Sequence, residues 1–329
     1  MNDETLTRLV TDAVADVEPT DRLDQIRVLA REQRSGRRRG WYAAGGVALA
    51  TAAAVTAFAV LGTDEPRTTA PDLADTPTPS ASTGVGPEER PQVGYFVGDT
   101  ARGPRLFRNL VLLPEEGSAV SLSLQALETG PIDPDYRTQW PAGSFAGAEV
   151  RGDVIEVTLA DATLRDRPAG MSAEEAAIAV EQVIWSVQSA DGSERAVQFR
   201  YGANPIDQVY GVPTSEPLAR GDENDVRALM NIYFPQEGAV VSGSFRADGE
   251  NNGNEASMNW RIEDADGRPV LEGFATAEGW IDGLYPWETD PIDVSALAPG
   301  TYTFVASNPD LSDGEGFRPD TDTRSIIVE

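Results

Sequence analysis

The stretch VIEVTLADATLRDRPAGMSAEEAAIAVEQVIWSVQSADGSERAVQFRYG, residues 154–202, decides the fold class. In Val154–Leu159 the apolar Ile155, Val157 and Leu159 alternate with Glu156 and Thr158, the period of a half-buried strand. Ser172 then stands as an N-cap, with Glu174 and Glu175 in a first turn where negative charge meets unpaired N–H groups. Behind it Ala176, Ala177, Val180, Val183, Ile184 and Val187 fall on one face at helical spacing. An Asp191-Gly192 turn ends the helix, and Ala196–Gly202 reads as a second strand. One strand, one well-capped helix and one strand make a mixed α and β unit.

Reading toward the N-terminus, WPAGSFAGAEVRGDVIEVTLAD (140–161) supplies a further strand run ahead of Val154. Ser118–Leu127 fits either period by its apolar residues alone. The following Leu127-Glu128-Thr129-Gly130-Pro131 favours a helix stopped at Gly130-Pro131. Val93–Val97 and Arg105–Leu113 are strand-like runs separated by Gly103-Pro104. The order β-β-α-β-β-α-β predicts an α+β domain over 93–212, with helices on one face of a small sheet.

Beyond a Pro-interrupted connector, residues 213–230, the pattern changes. Ile232–Phe234, Ala239–Phe245, Ser257–Ile262, Val270–Ala277, Ile292–Val294, Thr301–Ser307 and Thr323–Val328 are short β runs separated by Gly, Pro, Asn and Asp. Seven such runs over 231–329 predict an immunoglobulin-like β-sandwich. Trp260 falls in the third run, where such folds bury a Trp. Tyr302, after Leu297-Ala298-Pro299-Gly300-Thr301, has the setting of a tyrosine corner, and Phe304 occupies the position of a core residue.

At the other end, WYAAGGVALATAAAVTAFAVL (Trp41–Leu61) carries no charge and follows Arg37-Arg38-Arg39. About 20 apolar residues cross a bilayer. Basic residues stay on the cytoplasmic side, so residues 41–62 are expected to form a single transmembrane helix with residues 1–40 inside. A cleaved signal peptide is the alternative, with Ala57-Phe58-Ala59 as a site. The long, charge-balanced head argues against it. Two short amphipathic helices are expected in the tail, around Leu6–Val17 and Leu23–Leu29, serving either the membrane surface or a cytoplasmic partner. Residues 63–92, rich in Thr and Pro, read as an extended linker that cannot bury enough apolar surface to order itself.

The chain has 329 residues and a formal charge of −28, and contains neither His nor Cys. It has no Lys either; every basic side chain is Arg. These absences exclude Ser-His-Asp and Cys-His nucleophiles, Schiff bases and the usual zinc sites. Carboxylate-pair or oxygen-ligated metal chemistry is all that remains for an enzyme, and the expectation is a non-enzyme without cofactor or metal. The acidic surface makes nucleic acid an unsuitable partner.

Tyr95, Leu127-Glu128-Thr129-Gly130-Pro131, Trp140-Pro141, Val154–Leu159, the Ser172–Ser189 helix and Val197–Tyr201 together resemble the GerM-type domain of bacterial sporulation and germination proteins, which also occurs in actinobacterial envelope proteins. Where that family usually has Leu-Leu-x-Gly-Pro, this chain has Leu-Glu-Thr-Gly-Pro. Pro235-x-x-Gly238, Val241-x-Gly243, Trp260, Glu272-Gly273-Phe274 and Pro299-Gly300-x-Tyr302 resemble the immunoglobulin-like domain that accompanies GerM domains. The resemblance implies a scaffolding role in the cell envelope, because GerM-type domains are similar to small ring-building modules.

Two stretches are candidate sites. Glu278–Glu288 crowds Trp280, Tyr285 and Trp287 among carboxylates, a composition suited to stacking sugar rings of a cell-wall glycan. The competing reading packs Trp280 and Trp287 into the sandwich. Asp248–Glu255 begins like a calcium loop but lacks its closing Glu, so a solvated turn-rich loop is expected there. The acidic Pro309–Asp322 stretch is likewise expected to be solvated.

Overall fold

The computed structural model describes residues 89–114, 116–310 and 318–329. The tail, the 41–62 span and nearly all of the 63–92 linker lie outside the described residues. Among the described residues no helix is long and apolar enough to cross a membrane.

The chain enters in β1 (Glu89–Thr100), which pairs along its whole length with β2 (Gly103–Pro114). Strand structure thus begins before Val93, because Glu89–Gln92 find partners in Val111–Pro114. Helix α1 (Ala119–Thr129) starts at Ser118, whose Oγ accepts from Ser121 N, and stops at Gly130, held at φ +85°. A positive φ suits Gly, which resolves the Ser118–Leu127 ambiguity in favour of helix. β3 (Tyr136–Arg137), β4 (Phe145–Arg151) and β5 (Val154–Leu159) follow. Helix α2 (Ala173–Asp191) has a full capping box: Ser172 Oγ accepts from Glu175 N at 3.0 Å, and Glu175 Oε2 accepts from Ser172 N at 2.8 Å. β6 (Ala196–Tyr201), β7 (Asn204–Pro205), β8 (Gln208–Val209), β9 (Val212–Pro213) and the single turn α3 (Glu223–Val226) complete the first half.

Two corrections follow. Among the described residues of this half there are three sheets where one was expected: β2-β1-β3, β4-β5-β6-β7 and the two-stranded β8-β9. The β5–β6 pair is parallel, so α2 serves as the crossover that a parallel pair requires. Helix α2 also buries more than one face. Val183, Ile184 and Val187 join a core with Phe96, Leu127, Trp140, Val157 and Phe199, while Ile178 and Trp185 pack with Tyr95, Val97 and Leu106 in a second cluster. Ala177, placed inward by spacing, is exposed, and Ile178 takes its place. The 213–230 segment is bound to this half as well: Leu218 and Val197 exchange backbone hydrogen bonds of 2.9 and 2.8 Å.

The second half runs through β10 (Met230–Phe234), β11 (Ala239–Val241), β12 (Ser244–Phe245), β13 (Asp248–Asn251), β14 (Ser257–Glu263), β15 (Pro269–Thr276), β16 (Tyr285–Glu288), β17 (Ile292–Asp293), β18 (Gly300–Ser307) and β19 (Thr321–Val328). A five-stranded sheet, β11-β19-β18-β14-β15, faces a three-stranded β10-β13-β16 sheet and the β12–β17 pair. Met230, Met258, Ile262, Phe304 and Ile326 form the core between them. Trp260 stacks on the buried Phe304 with ring centroids 6.4 Å apart. The Tyr302 hydroxyl donates to Ala298 O at 2.9 Å, which makes the tyrosine corner.

Asp248–Asn251 is a strand, paired on both sides, and not the solvated loop its composition predicts. Gly249 explains this: a Cβ there would collide with the Asn231 carbonyl oxygen and with the Trp287 ring. Close backbone approach, with no alternating apolar pattern, makes this strand.

Candidate functional site

All described residues fall within one compact unit, and the chemistry of the chain concentrates where its two halves meet. The first cluster is centred on Arg324 of β19, only 1% exposed. Its Nη1 donates to Asp133 Oδ2 at 2.9 Å, to Asp322 Oδ1 at 2.9 Å and to the Tyr136 hydroxyl at 2.7 Å. Nη2 donates to Ile232 O at 2.7 Å. Asp133 and Tyr136 belong to the first half, whereas Asp322 and Ile232 belong to the second. Asp322 is held further by Ile232 N at 2.7 Å and by the Tyr136 hydroxyl.

Burial pushes the Asp133 carboxyl up to about 6, although Arg324 pulls it down. The Tyr136 hydroxyl is raised well above its ordinary value by burial and by the Asp322 charge. For Arg324, burial opposes the charge, but Asp322, Tyr136 and Asp133 outweigh it and the guanidinium stays charged.

The second cluster is centred on Arg227, just after α3 and 3% exposed. It donates to Glu250 Oε2 at 2.9 Å, Glu223 Oε1 at 3.3 Å and the Tyr233 hydroxyl at 3.1 Å. The guanidinium carbon lies 5.2 Å from the Tyr95 ring centroid and 5.7 Å from that of Trp185, within cation–π range. Arg108 covers the Tyr233 ring at 4.3 Å. Tyr95, Arg108 and Trp185 come from the first half, and Tyr233 and Glu250 from the second. Burial, then the Glu250 charge, raises the Tyr233 hydroxyl well above its ordinary value. At the rim, Arg102 reaches Asn224 O at 2.9 Å and Asp320 at 3.4 Å. Asp320 and Asp322 therefore serve the junction, correcting the solvated reading of that end of the 309–322 stretch.

Both arginines sit in closed surroundings with carboxylates and phenols already spoken for. The arrangement fixes one half against the other. Sequence reading missed Asp133, Tyr136, Arg227 and Arg324. The signal was present in Thr321–Val328, where Asp322 and Arg324 occupy the same alternation as the buried Ile326 and Val328. Charges at core positions of a strand mark a buried pair.

The three aromatic candidates do not converge. Trp287 is 3% exposed, in the sandwich core, over Gly249. Tyr285 is half-buried, and its hydroxyl donates to Asp282 Oδ1 at 2.5 Å. Trp280 is 41% exposed and its neighbour Ile281 65% exposed. Ile281 has φ +82°, a strained value for a β-branched residue. Asn252 imposes it, accepting from Ile281 N at 2.8 Å and donating to Ile281 O at 3.2 Å. Leu284 N donates to Glu223 Oε2 at 3.2 Å, which ties this loop to α3. Among the described residues no cluster of three or more acidic groups is arranged to hold a metal ion.

Comparison with known proteins agrees with this two-part architecture. Residues 93–207 match a family model described as sporulation and spore germination. Residues 229–315 match one described as the immunoglobulin-like domain of bacterial spore germination. No curated protein matches the chain. Among solved structures, the tandem GerMN domains of the sporulation protein GerM from Bacillus subtilis align at 11% identity with a TM-score of 0.31, covering 43% of this chain and 50% of that one. A candidate lipoprotein of Clostridium perfringens aligns at 16% identity and a TM-score of 0.26, covering 43% of this chain and 93% of its own. At these TM-scores the two structures add nothing to the fold described above. The matched part spans half of the GerM chain. The two family models, in this order and on these residues, identify the chain as a GerM-type sporulation and germination domain joined to the immunoglobulin-like domain of bacterial spore germination proteins.

Proposed function

We propose that this protein is a non-catalytic scaffold of the cell envelope, anchored in the membrane by the 41–62 segment with its two domains outside. The observation that carries this reading is the double lock at the junction. Arg324 and Arg227 each bury a charge between the domains. Removing a charge from water is expensive unless every partner is in place, so the two domains hold one mutual orientation. A body of that kind displays distant surfaces at fixed spacing, which is what an assembly component needs. The Arg37–Arg39 cluster ahead of the apolar run and the 63–92 linker support an extracytoplasmic placement on a tether.

The test uses native membranes. Crosslinking should trap the full chain in a discrete protein adduct that is lost in Arg324→Met, which strands two buried carboxylates at the junction, and returns in the triple variant Asp133→Asn, Asp322→Asn, Arg324→Met. Finding no adduct at any growth stage overturns the scaffold reading. A second reading, a wall-glycan binding module, draws on the exposure of Trp280. Saturable cosedimentation of the protein with peptidoglycan sacculi, lost in Trp280→Ala while the fold persists, would favour it instead.

A further inference from the structure

The sheet edges of the molecule are treated unequally. The β2 edge is covered, since Leu106 O accepts from Ala228 N at 3.0 Å and Arg108 N donates to Asn231 Oδ1 at 3.0 Å. Strand β4 is broken by a bulge between Phe145 and Gly147 and carries the charged Glu149 and Arg151. β7 has two residues, one of them Pro205, and β11 has three. Bulges, charges, Pro and shortness are the usual ways of closing an edge.

β15 is different. It has eight residues and, among the described residues, pairs only with β14. Its alternation is clean from Leu271 to Thr276, Val270 being the extra residue of a bulge opposite Ile262 and Glu263. Leu271, Gly273 and Ala275 face the core, with the Trp260 ring against Gly273. Glu272 and Phe274 therefore face outward, Phe274 79% exposed, and Val270 at the bulge is 38% exposed. Phe274 is the most exposed large apolar side chain among the described residues. Beyond Thr276 the chain leaves for the other sheet, where Ala277 bridges Trp287, so the free edge ends there. Around it, residues 261–278 hold five carboxylates (Glu263, Asp264, Asp266, Glu272, Glu278) against Arg261 and Arg268.

The geometry points to β15 as a strand-addition site: an extended, basic segment of another protein pairs with its free edge and becomes the sixth strand of the sheet. Main-chain hydrogen bonds supply affinity in this mode, and alternate side chains supply specificity. Opposite Glu272 and Phe274 the incoming strand places a cationic and an apolar residue. Charge selects the occupant. A second copy would set two strands of a −28 chain side by side, with like charges at close range. This inference rests on the scaffold reading and names the surface that would serve it.

The test uses the full chain in lipid nanodiscs. The probes are three synthetic ten-residue peptides: one repeating valine-threonine-arginine-threonine, so that valine and arginine alternate along one face, the same with alternate amides N-methylated, and one with glutamate in place of arginine. Hydrogen exchange of the 269–276 segment is read by mass spectrometry and affinity by fluorescence of labelled peptide. The valine–arginine peptide should slow exchange in 269–276, and both other peptides should fail to do so. Glu272→Arg should weaken that peptide about threefold and improve the valine–glutamate peptide comparably. Phe274→Ser should weaken either, with the fold checked by the buried Trp fluorescence. The inference is overturned if the edge-facing amides of 269–276, those that do not pair with β14, are already protected in the free chain, whether by its own segments or, in a concentration-dependent way, by a second copy. Equal protection by the N-methylated or the acidic peptide, or protection elsewhere only, overturns it too. In each of those cases the membrane adduct described above still reports on the scaffold reading independently.

Discussion

Replacing Arg324 by Met tests the junction most directly. The substitution removes a guanidinium that is 1% exposed and engages Asp133, Asp322, Tyr136 and the Ile232 carbonyl. Removing one partner of a buried ion pair costs about 3–5 kcal/mol, because the other charge is left uncompensated. Here each stranded carboxylate keeps a donor: Asp322 keeps Ile232 N, and Asp133 keeps Asp135 N at 2.9 Å. The expected loss at pH 7.5 is therefore at the lower end, about 3 kcal/mol. For a body of this size that corresponds to roughly 6–12 °C in Tm. Urea and thermal unfolding followed by circular dichroism measure it.

Two further outcomes are expected from the same assay. The triple variant Asp133→Asn, Asp322→Asn, Arg324→Met should recover most of the loss, since nothing charged remains buried. The loss should also shrink as pH falls from 8 to 5. The folded-state pKa of Asp133 already stands at about 6, above its ordinary 3.8, and loss of Arg324 raises it further. A carboxylate raised on folding stabilises the folded state on its protonated side, and that contribution is lost as pH rises through the folded pKa. A loss below about 1 kcal/mol, or a triple variant as unstable as the single one, refutes the argument that charge at this junction locks the domains.

The other expectations are simpler. Asp133 and Asp248 should both titrate near 6 in a carboxyl-carbon NMR experiment, each through burial, with Glu288 adding for Asp248. By the same sign rule their contribution to stability grows as pH falls from 7 toward 4, and midpoints below 5 for both would contradict the reading. Gly249→Ala should cost more than Gly192→Ala, about 3 kcal/mol or more against about 1, although only Gly192 has a left-handed φ. Gly249 would clash with Asn231 and Trp287, whereas nothing lies within 4 Å of a Cβ at Gly192. Trp287→Ala should lose about 3–5 kcal/mol of folding stability and Trp280→Ala about 0.5 or less, in a urea titration of each. Ser172→Ala should lose about 1 kcal/mol by removing the donor–acceptor pair that starts α2.

Within the described residues, local chemistry was readable wherever the causes lie within a few residues. Ser172, Glu175 and Gly192 start and stop α2 through contacts three or four positions apart. Gly130 ends α1, and Tyr302 closes its corner onto Ala298. The alternation of Val154–Leu159 and the order of the β runs sufficed for the α+β and sandwich halves. Where a strand owes its existence to its neighbours, the signal fails. Asp248–Asn251 has no apolar alternation and is a strand because β10 and β16 supply partners on both sides. Ala177 and Ile178 exchange places because α2 is covered on a second side by β1, which no single-face pattern anticipates.

By itself, then, the sequence determined where α1 and α2 stop, the exclusion of His, Cys and Lys chemistry, and the resemblance to germination domains. Tertiary structure alone decided that the halves are one unit. Asp133 and Arg324 are 191 residues apart in the chain, and Tyr95 lies 91 positions from the Ser186 hydroxyl its amide donates to. No periodicity spans such distances. The charge on Arg324 becomes a lock only when two separately folded surfaces exclude water around it. Trp287 and Trp280 part company for the same reason, one closed beneath a second sheet and the other left at its rim.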